Sequence, residues 1–185
     1  VDTDATQAFQ ADSDDEDART LHQCLQASGT PEKLAKGEEW YCNRCKEHVS
    51  ALKTLRLRRL PNILIIALKR FDYTGSRAKK LDYLVDYPLE GLDMKTSGLV
   101  ECNHNIAGCA TSELDAVYDL FGVVNHMGQM GFGHYTAYAR RIGADNSLEE
   151  DGWHLFNDSS VSKVGRDEVV SSSASILFYR RREFV

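Results

Sequence analysis

His134-Tyr135-Thr136-Ala137-Tyr138-Ala139-Arg140 and Trp153-His154-Leu155-Phe156-Asn157 read as two strands, with a polar segment centred on Asp145-Asn146, a good turn pair, between them. Folded as an antiparallel hairpin about that centre, they oppose Tyr138 to Trp153 and His134 to Asn157. Opposed Cβ atoms on one sheet face lie roughly 4.5–5.5 Å apart, so an asparagine oxygen there reaches an imidazole N–H. The asparagine then fixes the tautomer and direction of the ring and leaves the other nitrogen free to take a proton from a thiol. These are the base and the orienting group of a Cys-His-Asn arrangement. Gly131 and Gly133, just before the histidine, would let a substrate backbone come close. By the same parity His154 points away from His134 and stays out of the chemistry.

Outward from this hairpin the chain continues to read as strands. Leu52 to Leu60 alternates, with Leu55 and Leu57 on one side and Arg56 and Arg58 on the other, which is a half-buried strand. Ile63 to Leu68 is apolar on both faces and predicts a central strand buried on both sides. Leu81 to Leu89, Val117 to Asn125 and Ala174 to Arg181 supply further strands. Thr20 to Leu34 predicts short helical turns, with Thr30 and Pro31 starting a new one, and Asp167 to Ser171 predicts another turn. Residues 72–80 read as a polar loop, 91–115 as an elaborated loop, and His126 to Gly133 as a flexible glycine-rich loop. Many strands with few helices give an α+β chain whose sheet is mostly antiparallel.

The 185 residues suit one domain or a large part of one, with 42% apolar and 27% charged residues. The longest apolar run, Ile63 to Leu68, is far short of the ~20 residues of a membrane span. No basic and apolar signal segment opens the chain. Of the net charge of −6, the whole sum comes from residues 1–20, which hold seven acids and one base. The rest is neutral, so residues 1–19 are expected to be an acidic, disordered leader. Residues 51–80 carry nine bases against one acid, but spread over two strands and a loop without interleaved aromatics. That pattern is a solvated sheet face and not a nucleic-acid reader.

Five cysteines are present. Cys42 and Cys45 form a C-x-x-C inside a knuckle from Trp40 to His48, which with reduced thiols reads as half of a tetrahedral zinc site. His48, Cys102, His104 and Cys109 are weaker candidates for completing it. Cys24 lies among Leu21 and Leu25 and reads as a small buried apolar residue rather than a nucleophile.

Four motifs in order resemble one family, the ubiquitin-specific proteases. Gly133-His134-Tyr135-Thr136-Ala137-Tyr138 with Trp153-His154-Leu155-Phe156-Asn157-Asp158-Ser159-Ser160-Val161 resembles its histidine box. Leu60-Pro61-Asn62-Ile63-Leu64-Ile65 leading to Leu68-Lys69-Arg70-Phe71 resembles its central strand. Trp40-Tyr41-Cys42-Asn43-Arg44-Cys45 resembles its second zinc knuckle, and Ala174-Ser175-Ile176-Leu177-Phe178-Tyr179 its last strand.

The resemblance implies the C-terminal half of a papain-like cysteine protease over residues 20–182. Its knuckle would be 40–48 and its palm sheet 52–182, with a short tail at 183–185. His134 would be the general base, Asn157 its partner and Asp158 an assisting acid. Tyr135, Gly133, Gly131 and His126 would line or shape the narrow channel for the Gly-Gly end of ubiquitin, beside blocking loops 72–80 and 126–133. The family's cysteine box and first C-x-x-C are not found in this sequence. The expectation is therefore a half that pairs with a cysteine-bearing N-terminal half, the leader being the end of an insertion between them. Ubiquitin and ubiquitinated proteins would be the partners, zinc a structural cofactor, and the cytoplasm or nucleus the location. Nucleic acid and membrane are not expected as partners. The competing reading is a non-catalytic ubiquitin-binding or scaffold module on the same fold.

Overall fold

The computed structural model describes residues 19–73, 79–101, 116–129, 131–145 and 147–182. The leader up to residue 18, the centre of the 72–80 loop, most of the 91–115 stretch with Cys102, His104 and Cys109, and the 183–185 tail lie outside the described residues. The elements in chain order are β1 (Arg19–Thr20), α1 (Leu21–Gly29), β2 (Glu32–Lys33), β3 (Trp40–Cys42), β4 (Glu47–Val49), β5 (Leu52–Lys53), β6 (Ile63–Ala67), β7 (Phe71–Asp72) and β8 (Lys79–Lys80). They continue with β9 (Val85–Asp86), β10 (Leu92–Asp93), β11 (Val117–Gln129), β12 (Phe132–Ile142), β13 (Leu148–Asn157), β14 (Ser160–Lys163), a 3-10 turn at Arg166–Glu168, and β15 (Ala174–Arg181).

One antiparallel sheet dominates, in the order β14-β13-β12-β11-β15-β6, with β10 also paired to β11. The expected α+β class with a mostly antiparallel sheet is what forms, and α1 is the single α-helix among the described residues. The pleat gives the sheet two unlike faces. Leu64, Ile66, Leu177, Tyr179, Val123, Tyr138 and Trp153 face the core, and Trp153, Leu177 and Tyr179 are fully buried there. α1, the 85–99 segment and the chain around Val169 cover this face through Leu21, Tyr87, Met94 and Val169. Buried tyrosines tie the cover down: Tyr87 donates to Val169 O at 2.7 Å and Tyr179 to Pro88 O at 2.8 Å. Burial pushes the Tyr87 hydroxyl up to about 12, so it stays a donor.

α1 begins at a capping box. Thr20 Oγ1 accepts from Gln23 N while Gln23 Oε1 accepts from Thr20 N, which satisfies two backbone donors at once. The helix ends where Thr30 N donates to Ala27 O. The second turn expected at Thr30-Pro31 does not form, and Glu32–Lys33 pair with β5 as a strand. Arg19, assigned to the leader from sequence, instead pairs in β1 with β9, and its guanidinium lies 4.6 Å above the Tyr83 ring.

Four further expectations change. The Leu52–Leu60 strand shortens to β5, because Arg56 reaches back to donate to Gly29 O at 2.6 Å and draws the chain against the end of α1. Leu57 then makes only an isolated bridge with Val100. The Ile63–Leu68 run forms β6 at the edge of the sheet, not its centre, and Ile65 on the face away from the core is 59% exposed. The Leu81–Leu89 strand shrinks to β9, since the buried Arg70 guanidinium takes the Leu81 and Tyr83 carbonyls that a ladder would use. The glycine-rich 126–133 stretch is not a loose loop. It carries the β11–β12 ladder out to the Gln129–Phe132 pair.

The two faces predict unequal costs of truncation. Leu177→Ala should lower the unfolding free energy by ~2–5 kcal/mol through the cavity it leaves, whereas Ile65→Ala should cost less than about 1 kcal/mol. Urea unfolding of the two variants checks this, and equal losses would contradict the assignment of the core to one face.

Candidate active site

The β12–β13 hairpin brings His134 and Asn157 together. His134 Nε2 and Asn157 Oδ1 are 2.6 Å apart. The carbonyl oxygen of the asparagine only accepts, so Nε2 carries the hydrogen and donates. In the neutral ring the lone pair is then on Nδ1, which is the atom able to take a proton. Asp158 Oδ2 lies 4.0 Å from the same Nε2. Its carboxylate is 81% exposed, so its pull on an imidazolium is screened by water.

The contact is reached by a different register from the one expected. The ladder pairs Arg140 with Trp153, Ala139 with His154, Tyr138 with Leu155 and Ala137 with Phe156. One further step would oppose Asn157 to Thr136, so His134 sits on the diagonal and not directly across. Two offsets combine: the Ile142–Leu148 pair lies one residue from the expected register, and a bulge between Arg140 and Ile142 then sets five steps of β13 against two of β12, a shift of three the other way. The displacement from the expected register is even, so both side chains stay on one face, and diagonal neighbours remain within reach of long side chains. Arg140 holds the bulge: its Nε donates to Glu149 O at 2.7 Å and its Nη2 to Glu90 Oε1 at 2.9 Å.

Asn157 ends β13 and pairs with Ser160 across a two-residue turn. Asp158 takes that turn at φ 49°, a left-handed conformation that aspartate tolerates better than most residues. The sequence Asn-Asp-Ser-Ser therefore presents both the amide and the carboxylate to the imidazole. His154 faces the other way and contacts Gly152 O at 2.9 Å, away from the pair.

On the opposite strand, Met127 pairs with His134, Gly128 with Gly133, and His126 with Tyr135. A Cβ at Gly128, where φ is 118°, would meet Phe132 O at 2.6 Å, so only glycine lets the two backbones pass so closely. Gly131, at φ 83°, turns the hairpin and has open space around it. Tyr135 is 62% exposed on the face behind His134. His126 is buried beneath Gly133 and Tyr135 and so cannot line a channel itself. The sequence reading missed Phe132, which is 85% exposed at the hairpin tip, and Met127. Period two counted back from His134 puts Phe132 on its face, a signal that was available.

The other candidates lie apart. Cys42 and Cys45 join β3 to β4 in a tight knuckle, with Lys46 N donating to Cys42 O at 2.7 Å and Cys45 N pointing at Cys42 Sγ at 3.4 Å. The Cys45 backbone N–H, helped by that of Arg44, holds the Cys42 thiol below its ordinary range. Two accessible thiols in this turn fit one half of a tetrahedral site, and no third metal-ligating side chain joins them among the described residues. Cys24 packs against the core from α1. No cysteine among the described residues is hydrogen-bonded to His134.

A family model described as "Ubiquitin carboxyl-terminal hydrolase" matches residues 15–179. The chain belongs to this family. It is 42% identical over 164 residues to ubiquitin carboxyl-terminal hydrolase 15 of Rattus norvegicus, covering 88% of this chain and 15% of that protein. With ubiquitin carboxyl-terminal hydrolase 19 of Homo sapiens it shares 42% over 165 residues, which is 88% of this chain and 12% of the other. The chain thus spans about a seventh or less of the length of these relatives. Among solved structures, the SAGA DUB module Ubp8/Sgf11/Sus1/Sgf73 bound to monoubiquitin matches with TM-score 0.64 and 31% identity, over 91% of this chain and 34% of that one. The module bound to ubiquitin aldehyde matches with TM-score 0.66 and 27% identity, over 91% and 35%. The fold is that of a region of the papain-like catalytic domain of ubiquitin-specific proteases.

The hydrogen bond fixes one tautomer of His134. Nitrogen-detected NMR of the imidazole at high pH should show the proton on Nε2, and Asn157→Ala should release the ring to a mixture of both tautomers. A dominant Nδ1–H form in the unsubstituted chain would overturn the geometry.

Proposed function

We propose that this chain is the histidine-bearing part of a deubiquitinating thiol protease, which hydrolyses the peptide or isopeptide bond after the C-terminal glycine of ubiquitin. The single observation that carries this reading is the 2.6 Å pair of His134 and Asn157, on the same sheet face, with Nδ1 free. The family of the chain and the ubiquitin named with its structural neighbours support it. The nucleophilic cysteine is supplied by a segment outside this sequence. Its thiol loses a proton to His134 Nδ1, and the thiolate attacks the glycine carbonyl carbon. As the tetrahedral adduct collapses, the imidazolium returns that proton to the leaving amine, and an acyl-enzyme remains. Water then attacks, His134 takes its proton, and the carboxylate of ubiquitin and the free thiol are regenerated. Asn157 keeps the ring aimed throughout, and Asp158 favours the imidazolium while it exists.

Gly131, Gly133 and Tyr135 would bound the tail of ubiquitin beside this pair. Cys42 and Cys45 would hold a structural zinc ion with two ligands from elsewhere in the protein, where the metal would fasten the knuckle. The reading goes with a cytoplasmic or nuclear location, where thiols stay reduced.

The test uses the intact protein that carries this chain, treated with ubiquitin-vinyl sulfone and assayed on ubiquitin conjugates. His134→Ala should abolish turnover with the fold retained, and Asn157→Ala should slow it less. Wild-type turnover in His134→Ala would end the proposal. Zinc stoichiometry provides a separate measurement: Cys42→Ser should release metal to a chromogenic chelator at a lower denaturant concentration than the wild type does. Identical release would remove Cys42 from the site.

A further inference from the structure

His126 stands at a junction of four segments. Its backbone N–H donates to Ser173 O at 2.8 Å, ahead of β15, and its carbonyl accepts from Lys80 Nζ on β8 at 3.1 Å. Its ring contacts Phe71 on β7 at 5.9 Å between centroids and Tyr135 on β12 at 4.7 Å. It also fills the space beside Gly133, where a Cβ would overlap Nε2 and come within 2.8 Å of Cδ2. The residue is 6% exposed.

Two features decide what such a ring does. Pairing with Tyr135 places it on the face opposite His134, since Met127 is the residue that opposes His134. An acid or base on that face cannot reach the reacting atoms. Moreover, Nδ1 is buried and has no hydrogen-bond partner among the described residues. The contacts that hold the ring among the described residues are packing contacts with Phe71, Tyr135 and Gly133. What rests on it is the backbone of Gly133, one residue before the base, and the Tyr135 ring, one residue after it.

We infer that His126 is a positioning residue: through Gly133 and Tyr135 its ring sets where β12 carries His134, and it acts by volume and not by its nitrogens. This rests on the deubiquitinase reading for its kinetic consequence but not for its geometry. A base displaced by about 1 Å can cost on the order of 100-fold in rate. The glycine at position 133 is explained in the same terms, since the imidazole occupies the volume that any side chain there would need.

The experiment measures kcat and KM of the intact protein on a ubiquitin conjugate, with melting temperature and the His134 Nε2–H NMR resonance followed in parallel. His126→Ala should lower kcat by ~10–100-fold with a smaller change in KM, and weaken the Nε2–H resonance. His126→Leu, which keeps the volume and removes both nitrogens, should restore most of both. Gly133→Ala should also lose rate, and the double variant H126A/G133A should regain part of it as the methyl enters the vacated space. If His126→Leu is as impaired as His126→Ala at a native melting temperature, the nitrogens matter and the inference is wrong. Unchanged kcat and resonance in His126→Ala would also overturn it, as a merely structural role would move only the melting temperature. Should the wild-type protein form no adduct with ubiquitin-vinyl sulfone, the functional reading fails, and the resonance still decides the positioning claim.

Discussion

The hydrogen bond between His134 and Asn157 depends on a property of pleated sheets, the strict alternation of side chains between two faces. Any even displacement of β12 against β13 keeps the two residues on one face, and any odd displacement separates them. The Ile142–Leu148 pair is one residue off the simplest hairpin register, and the bulge beside Arg140 shifts the register by three the other way, so the net displacement is even and the asparagine reaches the imidazole along the diagonal. Arg140, buried and bonded to Glu149 O and Glu90, is therefore part of the site although it stands at the far end of the hairpin.

The same sheet carries the site at the edge of its covered region. Along β12 the core-facing residues run from Arg140 through Tyr138 and Thr136 to His134, and exposure rises at the last of them. The cover of α1 and the Tyr87–Val169 layer ends there. His134 is thus mounted on a packed strand with its ring in the open, which suits the role of base proposed for it. Behind it, the opposed glycines Gly128 and Gly133 bring two backbones together, and His126 packs against that junction.

Much of this was legible in the order of residues. The knuckle, the strand alternation and the candidacy of the histidine and asparagine follow from local chemistry: a C-x-x-C turn and period-two patterning. The misreadings share one origin. Leu81–Leu89 and Leu52–Leu60 have strand-like patterns, yet the Arg70 and Arg56 guanidiniums, reaching 13 and 27 residues along the chain, claim backbone carbonyls there or redirect the chain. Ile63–Leu68 is apolar enough for a central strand, but position within a sheet is set by which strands are available to pair. The glycines at 126–133 suggested looseness, whereas in a ladder they permit close approach.

The sequence by itself determined the fold class and singled out His134 and Asn157 as the candidate pair, because side-chain alternation and turn chemistry act over a few neighbouring residues. Only the tertiary structure decided the diagonal register, the edge position of β6, and the burial of His126 beneath Gly133. Those depend on contacts between segments far apart in the chain, where a bulge of a few residues or one long guanidinium outweighs local preference.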